Sequence, residues 1–131
     1  MRADEETEKE VLEVIRESWD AYIERDIDRL LSHYTDDPDL VAIGTSKGEK
    51  YFGPEQVRKA FEKELRSFCP AKMELLWASV SRSGDVAWVA GEFIAQVDTL
   101  YSPISMTGRM TCVLEKRNGK WYIMHTHFSF A

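Results

Sequence analysis

The sequence is poor in cysteine, in long apolar runs and in positive charge. Cys69 and Cys112 are its only two cysteines; they are too few and too far apart for a disulfide framework and lie in no C-x-x-C metal or redox motif. No apolar run approaches the roughly 20 residues of a transmembrane helix, so no membrane partner is predicted. The formal net charge of −6 repels phosphate backbones, which argues against nucleic acid as a partner.

Motifs for cofactors and phosphates are also missing. The chain contains no dinucleotide fingerprint, phosphate-binding loop or nucleophile elbow. We therefore predict no bound cofactor and no metal. The first ten residues, MRADEETEKE, are charged and acidic where a secretory signal would carry an apolar stretch. The predicted location is the cytoplasm.

Helical periodicity dominates the first 34 residues. Apolar side chains recur there in steps of three and four, at Val11, Ile15, Trp19, Tyr22, Ile23, Ile27, Leu30, Leu31 and Tyr34. Asp26 can cap a second short helix, and Pro38 ends helical structure because it lacks an N–H group. A chain of 131 residues is typical of one domain, so we predict a single domain over residues 1–131.

The rest of the chain predicts one more helix and then a run of strands. The segment "LVAIGT" (40–45) is rich in β-formers, and Pro54 suits the first turn of a helix that ends near Phe68. Alternating patterns bounded by turn residues predict four strands, at 72–82, 85–99, 105–117 and 120–130. Helices followed by antiparallel strands indicate an α+β fold. Residues 86–97 are largely apolar on both strand faces, so we expect a second subunit to cover the face that the helices leave open.

The last strand carries an unusual polar pattern. In "WYIMHTHFSF" (121–130), strict alternation places five side chains on one face: Trp121, Ile123, His125, His127 and Ser129. The two histidines would stand about 6–7 Å apart, within reach of one ligand, and imidazole exchanges protons near neutral pH. We therefore predict His127 and His125 as candidate catalytic residues. The alternative is a structural role, with one histidine hydrogen-bonded and the other packed on Trp121.

Further candidates are acidic and aromatic. Glu92 lies in an apolar strand, where it either pairs with Arg109 on a neighbouring strand or serves as a pocket acid with a raised pKa. Burial of an unpaired carboxylate is costly, which favours the pair. Aromatic rings near the mouth of a pocket suit a flat, mostly apolar ligand. The predicted ligand-binding residues are Tyr22, Tyr34, Phe52, Trp77, Trp88, Glu92 and Arg109.

Three stretches of the chain have a distinctive order: residues 30–65, in which "GEKYFG" separates a strand from a helix, 83–93 ("SGDVAWVAGEF") and 108–130 ("GRMTCVLEKRNGKWYIMHTHFSF"). Together they resemble the SnoaL-like branch of the nuclear transport factor 2-like and ketosteroid isomerase-like superfamily. The resemblance implies a cone-shaped sheet wrapped around the helices, a pocket at the open end, and a homodimer paired through the sheet. The chain departs from ketosteroid isomerases at residues 42–45, where "AIGT" offers no carboxylate for a general base.

Two functions are compatible with these residues and with this resemblance. The first is the binding of a small, partly apolar molecule in a pocket, either in a lyase- or isomerase-type enzyme of unassigned substrate or in a plain binding protein. The second is a non-catalytic binding or assembly module. The calcium/calmodulin-dependent kinase association domain, which resembles this chain, closes with a similar W-x-x-x-H-x-H-x-S pattern.

Overall fold

Helices and two short strands come first in the chain, and four long strands follow. The computed structural model describes all 131 residues. Its elements are α1 (Glu5–Ile23), α2 (Ile27–Leu31), β1 (Val41–Ile43), β2 (Lys50–Phe52), α3 (Gly53–Ser67), β3 (Pro70–Ser83), β4 (Val86–Val97), β5 (Ile104–Arg117) and β6 (Lys120–Phe130). Every predicted helix and strand is therefore present, with small shifts at its ends. None of the three helices combines the length and the apolar character that a bilayer span requires.

Side-chain caps determine where the first two helices begin. The Asp4 carboxylate accepts a hydrogen bond from the backbone N–H of Thr7, 2.7 Å away. The Asp26 carboxylate accepts one from the N–H of Arg29 at 3.1 Å, which confirms the predicted cap of α2. Each bond satisfies an N–H group that has no partner inside its own helix.

The six strands form one open sheet in the order β2-β1-β6-β5-β4-β3. All neighbours are antiparallel except β1 and β6, which run parallel. The β5–β6 turn has φ angles of 50° at Asn118 and 80° at Gly119, as a type I′ turn requires. The curved, unclosed sheet lies against the helices, and the predicted α+β cone is confirmed.

The inner face of the sheet packs against α1 and forms the core. Val11 and Ile15 of α1 are 0% and 2% exposed, and they belong to the same buried cluster as Val89 and Leu114 of the sheet. The aromatic rings of Trp19 and Phe93 extend this contact, with centroids 5.6 Å apart. Burial of these apolar surfaces is the main source of stability.

A β-bulge in β6 changes which side chains share a face. The pairing between β5 and β6 shifts at Met124, which has no partner on β5. Trp121 and Ile123, before the shift, are buried against the core, whereas His125 and His127, after it, lie on the outer face of the sheet. The prediction that these four side chains share one face is therefore wrong. One extra residue reverses the alternation of side chains, and the sequence pattern carries no mark of it.

A substitution at Gly108 in β5 tests how tightly the cone is packed. A Cβ atom at this position would lie 2.5 Å from a ring carbon of Phe93 and 2.7 Å from the carbonyl oxygen of Ser129. We expect Gly108→Ala to lower the free energy of unfolding by about 1–3 kcal/mol, because the Ser129 carbonyl belongs to the β6 backbone and the Phe93 ring would have to leave its present position. Thermal unfolding measures the loss as a drop in Tm of several degrees.

The matched control is Gly91→Ala on the adjacent strand. Its new Cβ would lie 3.3 Å from the end of the flexible Leu75 side chain and 3.4 Å from Met110 Cε and the Trp77 carbonyl oxygen, with no contact as short as those at Gly108. We expect a clearly smaller drop in Tm. Equal losses in the two variants would contradict the close packing at Gly108.

Candidate functional site

A cavity of about 730 Å³ lies between the helices and the inner face of the sheet. Its walls come from α1, α3 and the inward side chains of β4 and β6, and the loop between β1 and β2 (residues 44–49) forms one side. Sixteen of its 27 lining residues are hydrophobic. The volume falls within the range of about 300–1,000 Å³ typical of sites for small organic molecules.

Aromatic rings make up much of the apolar wall. They contact one another in tilted or edge-to-face pairs with centroids 5.6–5.9 Å apart: Tyr22 and Phe61, Tyr34 and Phe61, Trp19 and Phe93, Phe93 and Phe128. Such pairs add stability beyond their buried area and hold each ring in a fixed orientation. The rings therefore present a preformed surface to a molecule in the cavity.

Glu64 of α3 is the carboxylate of main interest in the cavity. It lies at the mouth, where water still reaches it although protein atoms surround the carboxylate on several sides. This partial burial raises its pKa, the nearby Glu49 carboxylate raises it further, and a hydrogen bond with the Tyr22 hydroxyl lowers it. A carboxyl group with a raised pKa can both accept and return a proton closer to neutral pH than an ordinary one.

Two tyrosine hydroxyls add neutral hydrogen-bond donors. Tyr22 and Tyr34 are 8% and 7% exposed, and burial raises the pKa of each phenol above its ordinary value. Both phenols therefore stay protonated at neutral pH. A hydrogen bond with the Thr126 side chain partly offsets the shift at Tyr34. Thr126 is 5% exposed and lines the cavity from β6.

The structure separates the predicted site residues into three groups. Tyr22 and Tyr34 line the cavity. Phe52 is 55% exposed on the edge strand β2, outside the cavity lining. The other predicted residues lie on the outer face of the sheet, with the sheet itself between them and the cavity: Trp77, Trp88, Glu92, Arg109, His125 and His127.

Strand register brings the outer-face residues together. Glu92 pairs directly with Trp77 on β3 and with Arg109 on β5. The side-chain atoms of Glu92 and Arg109 nevertheless form no ion pair within 4.0 Å. The predicted ion pair is therefore wrong. Both side chains are exposed, and water solvates each charge without a protein partner.

The two histidines also face away from the cavity. His125 Nδ1 lies 2.8 Å from the backbone carbonyl oxygen of Val41 on β1, a contact that fixes the imidazole on the sheet. His127 lies opposite Thr111 on β5 and is exposed. Neither imidazole belongs to the cavity lining.

Sequence reasoning missed Glu64, Glu49 and Thr126. A usable signal existed for Glu64, because it follows Phe61 by three residues and so lies on the apolar stripe of α3. A lone acid within such a stripe marks either a pocket or a partner. No comparable signal pointed to Thr126, because only the bulge at Met124 turns it inward.

Comparison with known proteins places this geometry in a class. Residues 11–131 match the model of the SnoaL-like domain, and solved structures with the same architecture are described as nuclear transport factor 2-like or as having a cystatin-like fold. The chain belongs to the SnoaL-like family. No curated protein is significantly similar to it in sequence.

Three solved structures illustrate the likeness. A Nostoc punctiforme protein of unknown function is 16% identical, with a TM-score of 0.84 over 100% of this chain and 96% of that one. A candidate dehydratase from Streptomyces avermitilis is 15% identical, with a TM-score of 0.83 over 94% of both chains. A candidate calcium/calmodulin-dependent protein kinase II association domain from Xanthomonas campestris is 27% identical, with a TM-score of 0.81 over 93% of this chain and 86% of that one.

The raised pKa of Glu64 predicts a pH-dependent effect on stability. Folding favours the protonated form, so the stabilising contribution is present at low pH and is lost as the pH rises through the pKa of the folded state. Glu64→Gln, which is always neutral, should therefore raise Tm relative to the wild type at pH 7.5 and change it little at pH 4. Thermal unfolding at both pH values measures this difference.

Glu62→Gln serves as the control because Glu62 is exposed on the same helix and lies outside the cavity. Its effect on Tm should not increase between pH 4 and pH 7.5 as that of Glu64→Gln does. The same Tm difference at both pH values in Glu64→Gln would contradict the proposed environment of the carboxyl group.

Proposed function

We propose that this protein binds a small, partly apolar molecule in the cavity of the cone. The observation that carries the proposal is the cavity itself: about 730 Å³, lined mainly by hydrophobic and aromatic side chains, with a few polar groups at defined positions. An open space of this size costs stability, because its walls lose packing contacts. Its presence is best accounted for by a ligand that restores those contacts.

The polar groups of the cavity suit proton-transfer chemistry of the lyase or isomerase type. The Glu64 carboxylate can take a proton from a bound molecule because its pKa is raised. The buried hydroxyl of Tyr34 can donate a hydrogen bond to a negative oxygen that forms on the same molecule, while the Tyr22 hydroxyl donates to Glu64. Within this proposal Glu64 replaces the histidines of β6 as the candidate acid or base.

A thermal-shift screen tests the binding proposal. The library contains aromatic, steroid-like and carboxylate compounds, and the variant is Ala60→Trp, which places a large side chain into the cavity from α3. A compound at 100 times its Kd adds about 2.7 kcal/mol of stability, which is several degrees of Tm for this size of domain. Compounds that stabilise the wild type should fail to stabilise Ala60→Trp.

Two controls accompany the screen. Ala71→Trp adds the same bulk at an exposed position outside the cavity, and His127→Ala removes the outer-face imidazole. Both should keep the ligand-induced shift. If no compound stabilises the wild type, or if Ala60→Trp responds as the wild type does, the cavity is not the binding site.

We also propose that the protein forms a homodimer through the outer face of the sheet. The long strands present apolar side chains there, including Trp77, Trp88, Ile94 and Val113, and Trp77 is 53% exposed. Glu92 and Arg109 also lie on this face, and their opposite charges can pair with those of a partner. A second copy would cover an apolar surface that one copy leaves in water.

Sedimentation velocity tests the dimer. Ala90 and Thr111 pair at the centre of the outer face, so Ala90→Arg would bury two unpaired charges in the dimer and should convert it to monomer. Leu100→Arg adds the same charge to a loop residue that is 97% exposed and should remain dimeric. A wild-type monomer at micromolar concentration, or a dimer that tolerates Ala90→Arg, would contradict this interface.

The cytoplasm remains the proposed location. Both cysteines are free, Cys69 at the surface and Cys112 in the core. Unpaired thiols of this kind are typical of a reducing compartment.

A further inference from the structure

Four charged side chains line the cavity, and they differ in their hydrogen bonds and in their exposure to water. They are Lys47 and Glu49 of the β1–β2 loop and Lys63 and Glu64 of α3. None of the four takes part in an ion pair of the protein. Both lysines are exposed, and a long flexible lysine side chain keeps its ammonium group in water.

The two carboxylates are not equivalent. Both oxygens of Glu49 bind groups near it in the chain. One accepts a hydrogen bond from the N–H of Ser46 at 2.6 Å, and the other lies 3.4 Å from the Tyr51 hydroxyl. Glu64 interacts with the Tyr22 hydroxyl, and Glu49 adds a repulsive negative charge nearby. A carboxylate has about four acceptor sites. Most of those of Glu64 are therefore free to receive donors from a ligand.

The groups of other elements whose charge or hydrogen bonding acts on Glu64 are neutral or negative, and Lys47, which also lines the cavity, is exposed to water. They are the hydroxyls of Tyr22, Tyr34 and Tyr51 and the Glu49 carboxylate. A protonated amine would relieve the repulsion between the two carboxylates and supply up to three donors. The faces of the neighbouring aromatic rings would attract the same positive charge.

We propose that the ligand of this cavity carries a protonated amine on an apolar or aromatic body, and that Glu64 binds the amine while the aromatic walls enclose the body. The inference rests on the proposed binding function and adds the chemical class of the ligand. A carboxylate ligand would meet the like charges of Glu49 and Glu64, whereas Lys47 and Lys63 keep their ammonium groups in water. A neutral ligand would displace water near Glu64 and supply no charge to pair with it.

Three probes that share an indole ring but differ in net charge test the inference. They are the cation tryptamine, its neutral alcohol analogue tryptophol and the anion indole-3-acetate. Isothermal titration calorimetry at pH 7.5 should give the tightest binding for tryptamine and the weakest for indole-3-acetate. Tryptamine affinity should also rise with pH as Glu64 loses its proton, whereas tryptophol affinity should not.

Variants at Glu64 separate charge from shape. Glu64→Gln should weaken tryptamine binding by about tenfold, the loss expected for one charge-assisted hydrogen bond, and leave tryptophol binding within about twofold. Glu64→Lys should reverse the order and favour indole-3-acetate. Glu62→Gln, outside the cavity, should bind all three probes as the wild type does. Circular dichroism confirms that each variant is folded.

The outcomes distinguish this inference from the proposed function. If tryptophol binds and Ala60→Trp abolishes its binding, the cavity is a binding site. In that case, equal affinities for the three probes, or an unchanged tryptamine affinity in Glu64→Gln, overturns the amine preference alone. If none of the probes binds, the amine inference is wrong. If no compound in the wider screen binds either, the proposed function also fails.

Discussion

The one-residue shift in β6 at Met124 is the constraint on which the site depends. Before it, Trp121 and Ile123 point inward and complete the core at one end of the cone. After it, Thr126 and Phe128 point inward and line the cavity. A regular strand would instead turn His125 and His127 inward and place Phe128 outside. The bulge therefore makes the cavity wall apolar and leaves the imidazoles on the opposite face of the sheet.

The cavity stays open because several of its lining positions carry small side chains. Ala42, Ala60 and Ala95 come from a strand of the short hairpin, from α3 and from the long sheet, respectively. Larger residues at these positions would fill part of the space. The fold thus combines a dense core against α1 with an unfilled volume at its open end. The wall atoms of this volume lack packing contacts, which a ligand bound there would supply.

Family membership determines the architecture but leaves the activity to the cavity. The SnoaL-like match covers residues 11–131, and two of the solved structures with high TM-scores are 15% and 16% identical to this chain. At such distances one cone can support different chemistries through different side chains. The distinguishing features of this chain are the Glu64 carboxylate, its contact with Tyr22 and the buried phenol of Tyr34. In the proposed function, these groups select the ligand.

The sequence by itself determined the order of the elements and their class. Helical spacing, the Asp26 cap and the Asn118-Gly119 turn are local signals, and each specifies backbone structure within a few residues. Tyr22 and Tyr34 could be predicted as lining residues for the same reason, because the inward-facing stripe of a helical region is a local pattern. The direction of the β6 side chains and the partners of Glu64 could not be predicted from the sequence. They depend on strand register and on contacts between residues far apart in sequence, which only the tertiary structure decided.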